Sequence, residues 1–210
     1  MPDALALPGF EPVLAACSLL SGLTVPWWVG GGWAIDLAVG RVTREHADVD
    51  LVLLERDEHA LRSDLHGVEL ALVDPDGRQR PWPAGQRLVA GPDSVRLGSA
   101  RLPLATQVLF ASAVAGTWVY HRGNRSLARP LAAVTLTRGS VPFMAPEVVL
   151  LMKSQSDREK DTRDFEAALP VLGVEQRAWL RDAVDQRWRS AQRRASATAP
   201  PGLHPWLQAL

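Results

Sequence analysis

Trp27-Trp28-Val29-Gly30-Gly31-Gly32-Trp33-Ala34-Ile35-Asp36, continuing through Arg41, Arg44 and His46 to Asp48-Val49-Asp50, decides how this chain is read. The apolar run Val25–Val29 predicts a short buried strand, and the three glycines that follow open a short helix, Trp33–Val39, closed by Gly40. Glycines there let a ligand approach the main chain, and a helix N-terminus presents free N–H groups that favour anions. A polar turn then leads into a strand, Val49–Leu54. Residues two apart in a strand share a face, so Asp48 and Asp50 project together, with His46 beside them if the strand begins early enough. Two carboxylates on one face suit a shared Mg²⁺ whose remaining ligands are phosphate oxygens. Other phosphate motifs are excluded. A dinucleotide fingerprint starting at Gly30 requires glycine where Ile35 stands, and no Walker Lys-Ser/Thr follows.

Working outward, 210 residues with 47% hydrophobic side chains suit one domain, or one domain with a helical appendage. No apolar run approaches the ~20 residues of a membrane helix, and Met1-Pro2-Asp3 does not begin a signal peptide. Cys17 is the single cysteine, which leaves no intrachain disulfide or cysteine-based zinc site. A cytoplasmic protein without a membrane partner is expected. The formal charge is zero but segregated: residues 1–93 hold 14 acidic and 7 basic side chains, whereas 94–146 hold no acid and six arginines, Arg96, Arg101, Arg122, Arg125, Arg129 and Arg138. That middle segment is basic by local patterning.

The remaining periodicities predict a helix over Phe10–Leu20, an amphipathic helix over Arg56–Leu65 and a strand over Val68–Val73, stopped at the turn Asp74-Pro75-Asp76-Gly77. Residues 78–98 read as loops around one short strand. Three more strands are expected at Leu104–Phe110, Thr117–Tyr120 and Ala132–Thr137, the last extended by Val141–Met144. From Ala145 the texture becomes helical: one helix opening at Pro146-Glu147, another over Asp157–Leu169, a third from Glu175 to about Arg194. The expected organisation is a mixed α/β domain over 1–144, a helical portion over 145–195, and a Pro/Ala-rich tail over 196–210 anchored at His204-Pro205-Trp206-Leu207.

Gly30-Gly31-Gly32-Trp33-Ala34-Ile35-Asp36, Gly40-Arg41-Val42-Thr43-Arg44, His46 and Asp48-Val49-Asp50 together resemble the signature of the aminoglycoside 2''-nucleotidyltransferases and their lincosamide-modifying relatives. A looser resemblance continues through Pro146–Lys153 and Lys160-Asp161, Asp164-Phe165. The resemblance implies the nucleotidyltransferase fold, an α/β mixed sheet flanked by helices with a C-terminal helical portion. It also implies Mg²⁺-dependent transfer of a nucleoside monophosphate, usually AMP from ATP, to a hydroxyl of a small molecule such as an antibiotic. By the same resemblance Asp48 and Asp50 are the catalytic metal ligands, and Gly31 and Gly32 cradle phosphates. Arg44 and His46 bind phosphate or brace the strand, Lys153 or Lys160 reaches the triphosphate, and Asp36 orients the loop.

One departure counts against this reading. The family's third carboxylate, a metal ligand and general base, belongs on a later strand, and alignment by eye puts it at Ala111. No acid in 94–146 replaces it; Glu69 and Asp74 are the alternatives on an earlier strand. The arginines and His121 also argue against a polycationic aminoglycoside acceptor. Three readings therefore stand at this point: an active nucleotidyltransferase, a degenerate member that binds nucleotide or phosphate without turnover, and a nucleic-acid-binding module. Zero net charge and the absence of an Arg/aromatic RNA-binding motif argue against the third. Trp82 and Trp118 are candidates to line an acceptor cleft.

Overall fold

In the computed structural model, residues 8–74, 76–83, 85–88, 94–120, 127–154, 156–195 and 204–210 are described, 190–195 by backbone only. They fall into two compact units, Met1–Ala145 and Pro146–Leu210. No helix among them is long and apolar enough to cross a membrane.

The first unit is a mixed sheet. Its strands are β1 (Trp27–Val29), β2 (Asp48–Leu54), β3 (Glu69–Val73), β4 (Gln79–Pro81), β5 (Ser94–Gly98), β6 (Ala105–Val114), β7 (Thr117–Val119), β8 (Ala128–Pro130), β9 (Thr135–Arg138) and β10 (Val141–Met144). The path across the sheet runs β4-β3-β5-β6-β2-β1-β10-β9, with β7 bridging β6 and β8. Most neighbours are antiparallel, but β2 pairs with β6 in parallel, as β1 does with β10. Period-two alternation sets the two faces. Val49, Leu51 and Leu53 of β2, Val95 and Leu97 of β5, and Val108 and Phe110 of β6 are buried on one face. Asp48 and Asp50, Gln107 and Arg96 lie on the other, each of them half-buried.

Helix α1 (Glu11–Leu20) forms where the helical period predicts it and buries Val13, Ala16 and Leu20, while Leu14 faces outward. Helix α2 (Gly31–Val39) ends where expected: Gly40 is left-handed at φ +89° and its N–H bonds the Asp36 carbonyl at 2.7 Å. Arg138 adds a second cap, donating from Nε to the Leu37 carbonyl and from Nη2 to that of Ala38 at 3.3 Å. One arginine of the basic segment is therefore occupied in satisfying helix-end carbonyls.

Three elements differ from the sequence reading. In place of one amphipathic helix over 56–65 there is a 3₁₀ turn, Glu55–Asp57, and a short helix α3, Ala60–Ser63. Glu58, between them, is buried with its carboxylate turned to the Leu88 N–H and the Arg87 guanidinium, so that stretch is shaped by a distant loop. Residues 78–98 hold two strands, β4 and β5, with the intervening 89–93 outside the described residues. The predicted strand Ala132–Thr137 begins instead as a helical turn, α4 (Leu131–Val134), with Pro130 ahead of it and Thr135 Oγ1 donating to the Leu131 carbonyl at 2.8 Å. Strand β9 starts only at Thr135, and β10 is its separate hairpin partner. Pro75, His121, Arg122 and Arg125, and the linker 196–203, lie outside the described residues.

The second unit comprises α5 (Pro146–Lys153), α6 (Glu159–Ala168), α7 (Val174–Ala195) and a 3₁₀ turn at Pro205–Gln208. Trp206 stacks on Phe165 with ring centroids 4.4 Å apart, and His204 Nε2 bonds the Ser154 carbonyl at 2.9 Å. These contacts anchor the end of the chain within this unit. Burial is the main influence on His204 and lowers its pKa, helped by Arg187 and opposed by the Ser154 carbonyl and Asp157.

Candidate active site

The site is built where α2 begins against β2. Beyond the last β1–β2 pair, the Gly30 N–H still reaches the Asp50 carbonyl at 2.8 Å, so the chain turns into the helix directly over the acidic end of β2. Gly31 has φ +58°, a left-handed conformation that glycine adopts without penalty. A Cβ at Gly31 collides with Asp50 Oδ2 and stands 3.0 Å from Asp50 Cγ. At Gly32 the same added atom collides with Arg44 Nη2 and comes within 2.6 Å of the His46 ring. The sequence suggested that these glycines make room for a ligand. The structure shows that on their Cα–H sides they make room for Asp50, Arg44 and His46.

Asp48 and Asp50 are half-buried on the same face of β2. Asp50 Oδ1 accepts a 2.7 Å hydrogen bond from Gln107 Nε2 on β6. The carbonyl of Asp48 accepts from Trp33 Nε1 at 2.9 Å, tying the first turn of α2 to the start of β2. His46 is not the third member of the row. Strand β2 begins at Asp48, two residues after it, and the His46 ring is buried against Trp33, centroids 4.2 Å apart and 26° from parallel. Its Nε2 lies 2.6 Å from Asp36 Oδ2. Asp36, fully buried, also accepts from the Thr43 N–H at 3.1 Å and from the Thr43 hydroxyl. A buried carboxylate is tolerable only when its oxygens are satisfied, and here the satisfaction fixes the 41–47 turn against α2. Asp36 and His46 thus brace the stretch that carries Asp48 and Asp50. Arg44 lies over Gly32 and donates to the Glu45 carbonyl at 3.0 Å.

Parallel register corrects the position of the missing acid. Asp50 faces Gln107 and Asp48 faces Ala105, while Ala111 faces Leu54. A group sharing a ligand with Asp50 must stand directly across, about 4.8 Å away, whereas Ala111 lies four residues, about 13 Å, further along β6. The β6 positions that stand across from the two carboxylates are therefore Ala105 and Gln107, and not Ala111. Among the described residues no third His, Cys, Asp or Glu joins the pair. The donors present still fit a divalent cation, because two carboxylates and an amide carbonyl oxygen are acceptable hard ligands. In the arrangement seen, the Gln107 amide occupies one Asp50 oxygen.

Lys153 and Lys160 belong to the second unit. The ammonium of Lys153 lies 2.8 Å from Asp161 and 2.8 Å from Asp164, both fully buried, which pins α5 to α6; Lys160 is exposed. Burial pushes the Asp161 pKa up, but the hydrogen bonds and charge of Lys153, Ser156 and Arg158 outweigh it and hold the carboxyl below its ordinary range. Trp82 is buried beneath the Arg62 guanidinium, 3.6 Å from its ring centre, and Trp118 is buried beside Tyr120, so both serve packing. Gln107 and Arg96 were missed from sequence, since only cross-strand register puts Gln107 beside Asp50 and Arg96 beside Gln107.

Known proteins share both the stretch and the fold. The aminoglycoside-2''-adenylyltransferase family pattern matches residues 12–76. A 2''-aminoglycoside nucleotidyltransferase from Escherichia coli is 67% identical over 27 residues, which span 13% of this chain and only 15% of that relative. The solution structure of the antibiotic-resistance factor ANT(2'')-Ia superposes with a TM-score of 0.57 at 17% identity, covering 88% of this chain and 95% of that one. The lincosamide antibiotic adenylyltransferase LnuA gives 0.54 at 16% identity, covering 77% and 97%. Local signature and overall fold agree: this chain has the nucleotidyltransferase fold and is similar to the aminoglycoside-2''-adenylyltransferases.

Proposed function

We propose that the chain transfers a nucleoside monophosphate, AMP from ATP in the first instance, to a hydroxyl of a small molecule. The observation that carries this reading is the placement of Asp48 and Asp50 on one face of β2, directly under the glycine N-terminus of α2. In the reaction an acceptor oxygen forms a bond to the α-phosphorus, the bond to the bridging oxygen breaks and pyrophosphate leaves; the acceptor proton passes to water or to a phosphate oxygen. Asp48 and Asp50 would hold the divalent cation, Mg²⁺ by preference, whose chemistry is neutralisation of phosphate charge. The main chain at Gly31 and Gly32 and the Arg44 guanidinium face the phosphates, and His46 and Asp36 keep them in place. For Lys153 and Lys160 the proposal rests on resemblance alone, a charge contribution to the triphosphate read out as the KM for nucleotide in Lys160→Ala. The relatives named above act on aminoglycoside or lincosamide antibiotics, so similarity lends no support to excluding an aminoglycoside here.

A second reading, nucleotide binding without turnover, is favoured by one observation, the amide of Gln107 where a carboxylate would complete the set. One experiment separates the two. The protein is incubated with Mg²⁺, labelled ATP, GTP, CTP or UTP and a panel of antibiotics and hydroxylated metabolites, and pyrophosphate is followed. Release that is lost in Asp48→Ala and Asp50→Ala supports transfer. Calorimetric nucleotide binding with no release for any acceptor supports the second reading and defeats the first.

A further inference from the structure

The face that carries Asp48 and Asp50 continues across three more strands, and the register says what stands on it. Asp50 is opposite Gln107, Gln107 is opposite Arg96, and Arg96 is opposite Ala71. One step along, Asp48 is opposite Ala105, and Gly98 is opposite Glu69. Ala105 and Gly98 offer almost no side chain, and Glu69 leans over the bare position, its Cβ 3.0 Å from where a Gly98 Cβ would stand. Between the acidic end of β2 and Arg96 the face is therefore low, floored by small residues and the Gln107 amide.

Arg96 is the odd residue on this floor. Its Nε and Nη1 are buried and have no hydrogen-bond partner among the described residues. Arg96 as a whole is half-buried, and guanidinium nitrogens held out of water without a hydrogen bond are unfavourable. No carboxylate occurs anywhere in 94–146 to relieve it. The nearest acid on the same face, Glu69, is exposed and forms no bond to either nitrogen. The planar fork of arginine matches a carboxylate or phosphate edge, so an oxyanion is the ligand that would complete it.

Building on the transfer reading, we propose that Arg96 recognises an anionic group on the acceptor, which is thus a hydroxylated small molecule bearing a carboxylate or a phosphate. Position assigns the anion to the acceptor and not to the nucleotide. Arg96 is two strands from Asp50, about 10 Å across the sheet, with Gln107 between them. That separation suits a reacting hydroxyl near Asp50 and a charged substituent on the far side of a sugar-sized molecule.

The test uses the full chain and four matched probes: glucose 6-phosphate, glucuronate, glucose and glucosamine, with inorganic phosphate as a fifth. Binding is measured by ligand-observed NMR and calorimetry, with ATP titrated separately. The anionic probes are expected to bind in preference to glucose and glucosamine, and Arg96→Gln to weaken them about 30-fold or more while ATP affinity changes less than about threefold. Arg96→Lys should retain part of the preference, since it keeps the charge and loses the fork. Arg96→Gln should melt no lower than the parent, because it removes a charge two of whose nitrogens are buried without a partner. An equal loss of ATP and sugar-phosphate affinity in Arg96→Gln would assign the arginine to the donor phosphates and overturn the proposal. So would glucosamine binding as well as glucuronate, or no binding of any anionic probe. Failure of the transfer reading looks different: pyrophosphate release stays absent or indifferent to Asp48→Ala while Arg96-dependent anion binding persists.

Discussion

Replacing Gly31 by alanine probes the site at its tightest point. The perturbation has two parts. Gly31 sits at φ +58°, where an L-residue is disfavoured by about 1–2 kcal/mol. The new methyl group also collides with Asp50 Oδ2, with Asp50 Cγ at 3.0 Å and Cβ at 3.1 Å. Because Cβ is fixed to the strand, Asp50 can yield only by rotating its carboxylate, which breaks the 2.7 Å bond from Gln107. A hydrogen bond to a charged group contributes about 1.5–3 kcal/mol, so the full loss is about 2–4 kcal/mol once partial relaxation is allowed. Gly32→Ala is the matched control. Its backbone is not left-handed, and its first obstacle is the movable end of Arg44, although the His46 ring held by Asp36 is less forgiving. Urea denaturation of both variants gives the stability difference, and Mn²⁺ binding followed by electron paramagnetic resonance reports on Asp50 independently of turnover. Gly31→Ala should be the less stable of the two and lose metal affinity about tenfold or more, and pyrophosphate release should fall about 100-fold, as for an ångström-scale misplacement. A Gly31→Ala protein within about 0.5 kcal/mol of the parent, binding Mn²⁺ normally, would refute the reasoning.

Three further outcomes are expected. Asp36→Asn removes the charge and one of the two oxygens that hold Thr43 and His46, and should destabilise the protein by about 1–3 kcal/mol; turnover should fall with little change in the KM for ATP, and an equal rise in KM would assign Asp36 a direct ligand role. Lys153→Met removes the ammonium shared by Asp161 and Asp164 inside the second unit, leaving Arg158 on Asp161, and should cost about 1–3 kcal/mol at neutral pH. The pH profile carries the sign: Asp161, with its pKa held down, stabilises the parent above the unfolded carboxylate pKa of about 4, and this is lost as pH falls through the lower folded value. Lys153→Met should therefore lose less stability on acidification than the parent, measured by thermal melts from pH 7 to pH 3. Gln107→Asp places a carboxylate across from Asp50 and should raise Mn²⁺ affinity about tenfold or more; unchanged affinity would mean that the β6 position does not reach the cation.

What was legible in the sequence is what depends on neighbours along the chain. The apolar run Val49–Leu54 marked β2, and Gly40 marked the end of α2, because both express local preferences. Asp48 and Asp50 were legible as a pair for the same reason. Gln107 was not, because β2 and β6 meet in parallel across more than fifty residues, and nothing local distinguishes a register facing Gln107 from one facing Ala111. The glycines illustrate a subtler limit: the sequence read them as room for a ligand or as a packing turn, and the groups that close on their Cα–H sides are Asp50, Arg44 and His46. Helix 56–65 failed because the inward pull on Glu58 comes from Leu88 and Arg87, thirty residues away. Arg96 looked like one more charge in a basic segment until burial and the absence of a partner set it apart.

The β2–β6 pairing also has a consequence for how the protein acquires its site. Strands β1 and β2 pair antiparallel around the Gly30–Ala47 excursion, a modest loop whose closure is fast. Joining β6 to β2 closes a far longer loop, and β5 and β3 then attach to β6. Non-local parallel pairing of this kind is intrinsically slow. The glycine turn and the Asp48/Asp50 strand therefore belong to an early-forming half, and Gln107 and Arg96 arrive with a late one. Substitutions in β6 should slow refolding more than those in α2, and during biosynthesis the two carboxylates of β2 stand ready before the floor beside them exists.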